Sequence, residues 1–142
     1  MSDRITIIVP VYNERATVAA VIDRLLTIEL PGPREILVVD DGSKDGTGDV
    51  LRALDGTHPD LRVVTLPANR GKGHAVRLGY AQASGTIVAI QDADLELDPA
   101  QIARLVAPIL ARESDVVFGS RFLERAHTLP WSSRITNGSL TA

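Results

Sequence analysis

Three carboxylates stand at alternate positions in residues 91–96 (QDADLE), directly after an apolar run. In an extended chain alternate side chains share one face, so we expect Asp92, Asp94 and Glu96 to lie together. Two ionised carboxylates ~5 Å apart repel by ~3 kcal/mol at an effective dielectric near 20. A lysine, a raised pKa or a divalent cation can supply the counter-charge. Because Mg²⁺ and Mn²⁺ prefer oxygen ligands, the pattern favours a metal site.

The carboxylates follow the fourth of five predicted strands, and helices are predicted between the strands. The β-branched, apolar runs that predict strands are residues 5–11, 34–40, 61–66, 86–90 and 115–118. Helical spacing predicts helices at 16–28, at 50–54 after the N-cap Asp45, at 71–84, and after Asp98-Pro99. This alternation predicts an α/β fold with a doubly wound, mostly parallel sheet and helices on both faces.

Polar residues follow each predicted strand, and ligands of open parallel sheets bind at this carboxyl edge. Tyr12 can offer its ring or hydroxyl to a base or ribose, and Asp41 can accept hydrogen bonds from a base. Lys72 and Arg121 can carry phosphate charge, Arg121 in a bidentate manner. These side chains together fit a nucleoside diphosphate.

Each of these loops also has a purely structural interpretation. Residues 40–43 (DDGS) can form a simple turn, because Asp, Gly and Ser favour turns. The glycines of residues 71–73 (GKG) suit any strand-to-helix connection, and His74 is more typical of a packed or surface histidine than of a base. Glu14 can simply favour the start of a helix by its charge.

Composition sets the class of protein. The 142 residues suit one compact domain, and 44% apolar with 23% charged residues is typical of a globular chain. We expect a cytoplasmic protein, because no secretion signal, apolar span or cysteine occurs. The net charge of −3 argues against nucleic acid as a partner.

Three other classes with a similar sheet lack their signatures here. A nicotinamide-binding dehydrogenase places glycines after its first strand, where residues 10–14 (PVYNE) contain none. A sugar nucleotidyltransferase usually opens with a glycine-rich signature at the same turn. A phospho-receiver domain needs an aspartate at the end of strand three, where residues 65–67 read TLP.

Five segments resemble, in order and spacing, the family 2 glycosyltransferases with the GT-A fold. They are residues 9–14 (VPVYNE), 38–47 (VVDDGSKDGT), 69–79 (NRGKGHAVRLG), 91–99 (QDADLELDP) and 115–122 (DVVFGSRF). Within that family the chain is most similar to polyprenyl-phosphate sugar transferases of the dolichol-phosphate mannosyltransferase-like branch. The resemblance covers about residues 5–140.

The resemblance implies roles for particular residues. Those placed around the nucleoside are Pro10, Tyr12, Glu14, Val39 and Asp41. Asp92 and Asp94 would hold Mg²⁺ or Mn²⁺ with Glu96 assisting, and Arg121 would meet the donor. Asp94 and Arg121 are thus the candidate catalytic residues, and Lys72 joins the donor-binding set.

The resemblance also implies a reaction and its partners. A sugar would pass, with inversion, from a UDP- or GDP-linked donor to a polyprenyl phosphate, at the cytoplasmic face of the membrane. We expect residues 1–142 to form one GT-A domain without the complete acceptor part, which would begin at about 123–142. Another chain would then complete the site, or the chain would associate peripherally with the membrane. The alternative is a non-catalytic remnant that only binds the nucleotide-sugar.

Overall fold

The β-branched segments form a four-stranded parallel sheet in a computed structural model that describes residues 3–117. The strands are β1 (Ile5–Val11), β2 (Arg34–Asp40), β3 (Leu61–Thr65) and β4 (Ile87–Ile90). Their order is β3-β2-β1-β4, and all three pairings are parallel. The prediction of a parallel sheet is therefore confirmed.

The strand β1 lies between β2 and β4 in the sheet. Ile5, Ile7, Ile8 and Val9 are completely buried although adjacent side chains point to opposite faces, so both faces of β1 are covered. Strand–helix–strand connections are almost always right-handed. The strands β2 and β3 are added on one side of β1, and β4 is added on its other side. With right-handed connections this reversal places helices on both faces of the sheet.

Four helices occur in the described residues. They are α1 (Val18–Thr27), α2 (Thr47–Leu54), α3 (Lys72–Gln82) and α4 (Ile102–Leu110), the last preceded by a 3₁₀ turn at Pro99–Gln101. Asp98 caps that turn, because its carboxylate accepts the Ala100 N–H. The predicted N-cap Asp45 is wrong by one residue: Gly46, with φ +98°, precedes Thr47, while Asp45 still accepts the Thr47 N–H.

The helix α3 packs against β1 and β2 through small residues. Ala75 and Gly79, one turn apart, are its buried positions, whereas the larger Tyr80 is 53% exposed. A β-carbon on Gly79 would lie 2.7 Å from Cγ2 of Ile8. Glycine at this position therefore lets the helix approach the sheet closely.

The chain divides into two compact units, residues 1–102 and 103–142. The first contains the whole sheet. In the described part of the second, α4 ends where Arg112 adopts a positive φ of 61°. The predicted fifth strand is not formed over residues 115–117, and Phe118 lies outside the described residues. No helix in the described range 3–117 is long and apolar enough to cross a membrane.

Candidate functional site

A cavity of about 220 Å³ opens between β1 and β4, where the strand order of the sheet reverses. This switch point is the usual ligand site of an open parallel sheet, because the loops on either side diverge there. The described residues that line the cavity all belong to the first compact unit. They are Pro10, Val11, Tyr12, Glu14, Asp41, Lys72, Ala75, Asp92, Ala93 and Asp94.

The loop after β1 is held by hydroxyl groups from the loop after β2. The Asn13 N–H donates to Ser43 Oγ at 2.9 Å, and that hydroxyl donates to Asp40 Oδ1 at 2.6 Å. Asp40 is almost fully buried. The segment that presents Tyr12 to the cavity is thus fixed from below by a buried carboxylate.

A second relay of the same kind lies beside the first. The Glu14 N–H donates to Thr47 Oγ1 at 3.0 Å, and the Thr47 hydroxyl donates to Asp45 Oδ1. The hydrogen bond from Thr47 is the main reason that the pKa of Asp45 lies below its ordinary value. Side chains of residues 40–47 therefore help to hold the backbone of the loop after β1 in place.

Asp41 connects the cavity to the loop before α3. Its Oδ1 accepts the Arg70 N–H and its Oδ2 accepts the Gly71 N–H, both at 2.8 Å, and the residue is 2% exposed. The neighbouring Gly42 has φ +71°, and a β-carbon there would lie 2.6 Å from the backbone of residues 68 and 69. Only glycine permits this close approach. Asp41 therefore fixes the start of α3, on which Lys72 stands.

The acidic loop after β4, residues 92–97, is turned rather than extended. Leu95 has φ +63°, and Asp94 Oδ1 accepts the Glu96 N–H at 3.0 Å. The expectation that Asp92, Asp94 and Glu96 share one extended face is therefore wrong. Asp92 and Asp94 line the cavity, whereas Glu96 is exposed and is not among the described lining residues.

Hydrogen bonds from outside the loop hold it in place. The Thr17 hydroxyl donates to the main-chain oxygen of Ala93 at 2.5 Å. The buried Gln91 side chain donates to the main-chain oxygen of Leu97 at 3.1 Å. At the far end Asp98 pairs with Arg24 of α1 at 2.9 Å. Its pKa is lowered first by the Ala100 N–H and then by Arg24.

Lys72 supplies a counter-charge to the acidic loop. Its Nζ lies 2.5 Å from Asp92 Oδ1, and the two side chains are 61% and 40% exposed. The lysine is one of the three counter-charges that the sequence allowed. It was predicted as a phosphate ligand, and its pairing with Asp92 links two loops that lie far apart in sequence.

The carboxylates in the cavity fit a divalent cation whose remaining ligands are waters and phosphate oxygens of a substrate. No group of three potential metal ligands is assembled in the described part of the chain. Asp92 and Asp94 nevertheless give oxygen donors on one cavity wall. Mg²⁺ is typically held by one or two carboxylates, with waters and substrate phosphates completing its octahedron, so a carboxylate pair is sufficient.

The other predicted site residues have different positions. Pro10, Tyr12 and Glu14 line the cavity, and Tyr12 is 43% exposed. Val39 is fully buried in a core cluster with Leu37 and Ala75. Arg121 lies outside the described residues. Sequence reasoning did not single out Val11, Ala75 or Ala93, which line the cavity, because small apolar residues carry no chemical signal.

A parallel sheet with this acidic loop at its switch point is the GT-A fold of nucleotide-sugar enzymes. Residues 6–140 match the model of glycosyl transferase family 2. The chain therefore belongs to glycosyl transferase family 2. The predictions of fold class and family are confirmed.

Named relatives include two polyprenyl-phosphate sugar transferases. The chain is 37% identical over 107 residues to undecaprenyl-phosphate 4-deoxy-4-formamido-L-arabinose transferase of Serratia proteamaculans, covering 72% of this chain and 32% of that protein. It is 31% identical over 128 residues to dolichol-phosphate mannosyltransferase of Pyrococcus furiosus, covering 90% of this chain and 36% of that protein. The chain thus spans about a third of the length of these relatives.

A solved structure of a mannosyltransferase supports the same fold and family. The mannosyltransferase PcManGT from Pyrobaculum calidifontis, in complex with GDP-Man and Mn²⁺, superposes with a TM-score of 0.63 at 38% identity. The match covers 75% of this chain and 32% of that chain.

Proposed function

We propose that this chain forms the donor-binding part of an inverting, metal-dependent glycosyltransferase that transfers a sugar from a nucleoside diphosphate to a polyprenyl phosphate. The observation that carries the proposal is the cavity at the switch point. It combines an exposed aromatic ring, a lysine and a carboxylate pair, which are the groups needed for a base, a diphosphate and a shared cation. The named relatives act on undecaprenyl and dolichol phosphates.

The nucleoside would lie against the loop after β1. Tyr12 would contact the base or ribose, with Pro10 and Glu14 beside it. Asp41 would act mainly through the backbone, because each of its oxygens already accepts an amide N–H. Val39 would contribute through the packing beneath, since its side chain is buried.

The diphosphate would lie between α3 and the acidic loop. Lys72 begins α3 and faces the cavity, so its ammonium group can bind a phosphate oxygen. Asp92 and Asp94 would hold Mg²⁺ or Mn²⁺, with Glu96 at most assisting. When bound, the cation neutralises the charge that develops on the departing nucleoside diphosphate. Arg121 is proposed to contact the donor as well.

The acceptor needs no strong general base from the protein. A phosphate monoester has its second pKa near 6, so a polyprenyl phosphate is mostly dianionic at neutral pH. Its oxygen forms a bond to the anomeric carbon while the bond from that carbon to the diphosphate oxygen breaks, which inverts the configuration. The chain's residues would contribute in-line positioning and stabilisation of the leaving group.

The residues of this chain would supply the donor side of the reaction. We propose that residues 1–142 form a single donor-binding domain in which 123–142 begin the acceptor side. Further sequence or another chain would complete that side. A lipid-linked acceptor would bring the reaction to a membrane, for which we propose the cytoplasmic face, and peripheral association would bring the cleft to its substrate.

A transfer assay separates catalysis from donor binding alone. The chain is incubated with Mn²⁺, a radiolabelled UDP- or GDP-sugar and undecaprenyl or dolichyl phosphate, and label in the lipid phase is counted. We expect Mn²⁺-dependent donor binding by the chain alone, and lipid-linked label once further sequence or another chain completes the acceptor side; both should be lost in Asp94→Asn. Donor binding that never leads to transfer would favour the binding remnant, and absence of both would contradict the proposal.

A further inference from the structure

The ion pair between Lys72 and Asp92 occupies the same carboxylate that the proposed metal would use. The Nζ to Oδ1 distance is 2.5 Å, and both side chains line the cavity. An ammonium group at this distance takes the position in front of Oδ1. A divalent cation entering there would meet the positive charge of the lysine and be repelled by it.

Of the other carboxylates that line the cavity, Asp94 would itself hold the metal, and Asp41 and Glu14 already have hydrogen-bond partners. Asp41 is buried and its oxygens accept the amides of residues 70 and 71. Glu14 lies with Oε2 3.3 Å from the Thr17 hydroxyl, next to the Ala93 end of the acidic loop. Metal binding alone would therefore separate Lys72 from its partner while adding positive charge beside it.

A nucleoside diphosphate changes this balance. Its phosphate oxygens are strong acceptors for an ammonium group and for a hard divalent cation at once. Lys72 is exposed enough to rotate away from Asp92, since 61% of its side chain is accessible. With the diphosphate present, the lysine exchanges a carboxylate for a phosphate and Asp92 is freed for the metal.

We infer that the Lys72 ammonium group occupies the Asp92 carboxylate when no nucleotide is bound, and that this makes metal binding depend on the nucleoside diphosphate. This inference rests on the proposed function for the identity of the ligands. It assigns Lys72 a role beyond contact with phosphate. The lysine lowers the affinity for metal in the empty site and raises the affinity for the diphosphate, so the two ligands bind with positive coupling.

The test measures Mn²⁺ binding without any transfer reaction. Free Mn²⁺ is quantified by electron paramagnetic resonance for the full chain, first alone and then with saturating GDP or UDP. The variant is Lys72→Met. Lys44→Met is the matched control, because Lys44 is the other lysine of the chain, is exposed, and is not among the described cavity residues.

The expected changes have opposite signs for the two ligands. Lys72→Met should bind Mn²⁺ alone about fivefold more tightly than the wild type, bind the nucleotides more weakly, and show a smaller coupling factor, within the range usual for coupled sites. Lys44→Met should match the wild type. In an Asp92→Asn background the Lys72→Met change should no longer alter Mn²⁺ affinity, because the lysine then has no carboxylate to block.

Other outcomes would overturn the inference. Unchanged or weaker binding of Mn²⁺ alone in Lys72→Met would show that the lysine only binds phosphate or holds the loop. No detectable Mn²⁺ binding by either protein at millimolar concentrations would also overturn it. Because this comparison contains no sugar and no lipid, it can succeed where the transfer assay fails, and the reverse, so the two proposals are tested separately.

Discussion

The carboxylate of Asp41 accepts the backbone N–H of Gly71, the residue that immediately precedes α3, at 2.8 Å. This hydrogen bond joins the end of β2 to the helix that carries Lys72. It means that one residue predicted to contact a base is also a buried support of the cavity. Stability and ligand binding can therefore be separated experimentally at this position.

We expect Asp41→Asn to lower the free energy of unfolding by about 2 kcal/mol, because an amide NH₂ would face a buried N–H donor. Urea denaturation measures the change. Asp23→Asn, at an exposed position of α1, is the matched control and should stay within about 0.5 kcal/mol of the wild type. Wild-type stability in Asp41→Asn with loss of nucleotide affinity would instead point to direct base recognition.

The positions of Asp92, Asp94 and Glu96 in the acidic loop rank them by their expected contribution to metal binding. Asp92→Asn and Asp94→Asn should each weaken Mn²⁺-dependent nucleotide-sugar binding about tenfold or more, since loss of a charged partner costs roughly 1.5–3 kcal/mol. Glu96→Gln should change it by less than about threefold, because Glu96 is exposed outside the described cavity lining. Equilibrium dialysis with and without a chelator gives the comparison. Unchanged affinity in both aspartate variants would contradict the metal assignment.

Two glycines of α3 should respond in opposite directions to alanine. In Gly79→Ala the new β-carbon lies 2.7 Å from Ile8 Cγ2, and such overpacking typically costs about 1–3 kcal/mol. In Gly73→Ala the nearest atom is 3.8 Å away, and replacing a helical glycine gains roughly 0.5–1 kcal/mol. Thermal and urea unfolding measure both. Equal effects at the two positions would show that α3 does not pack closely on β1.

The buried Glu35 should make stability depend on pH. Burial alone would raise the pKa of this carboxyl. Hydrogen bonds from Ser84 and from the Thr6 hydroxyl, with the Arg62 charge, bring it below its ordinary value of 4.5. A group whose pKa is lower in the folded state stabilises the fold above its unfolded pKa, and this stability is lost as the pH falls through the folded pKa.

We therefore expect the wild type to lose stability below about pH 4.5 more steeply than Glu35→Gln, because glutamine does not titrate. The measurement is the free energy of unfolding from neutral pH down to acid. Glu29→Gln, an exposed glutamate, is the control and should keep the wild-type slope. Parallel curves for the wild type and Glu35→Gln would contradict the lowered pKa.

The sheet could be predicted because its strands are short apolar runs with clear ends. Residues 5–11 and 34–40 form β1 and β2 with the predicted bounds. The turn at Leu95 could not be predicted, because it depends on contacts from Thr17 and Gln91 with the main-chain oxygens of the loop. Leucine with positive φ is uncommon, so local propensity favours the wrong conformation there.

The site was partly predictable because the ends of the strands could be read from the sequence. Charged side chains at strand ends indicate where ligands bind, and Tyr12, Lys72, Asp92 and Asp94 do line one cavity. The partners of Asp41 are backbone N–H groups 29 and 30 residues away, and backbone donors are the same in every sequence. Which carboxylate faces solvent and which supports a loop is therefore decided by tertiary contacts.

The strand β4 has four residues and, among the described residues, pairs only with β1, yet it leads into the loop that holds Asp92 and Asp94. A strand of four residues opens locally at a lower free-energy cost than the seven-residue β1. Amide hydrogens of Ile87–Ile90 should then exchange faster with deuterium than those of β1 in the empty protein. A ligand that bridges α3 and the acidic loop would slow this exchange, so occupancy of the cavity could be followed from a strand that forms none of its walls.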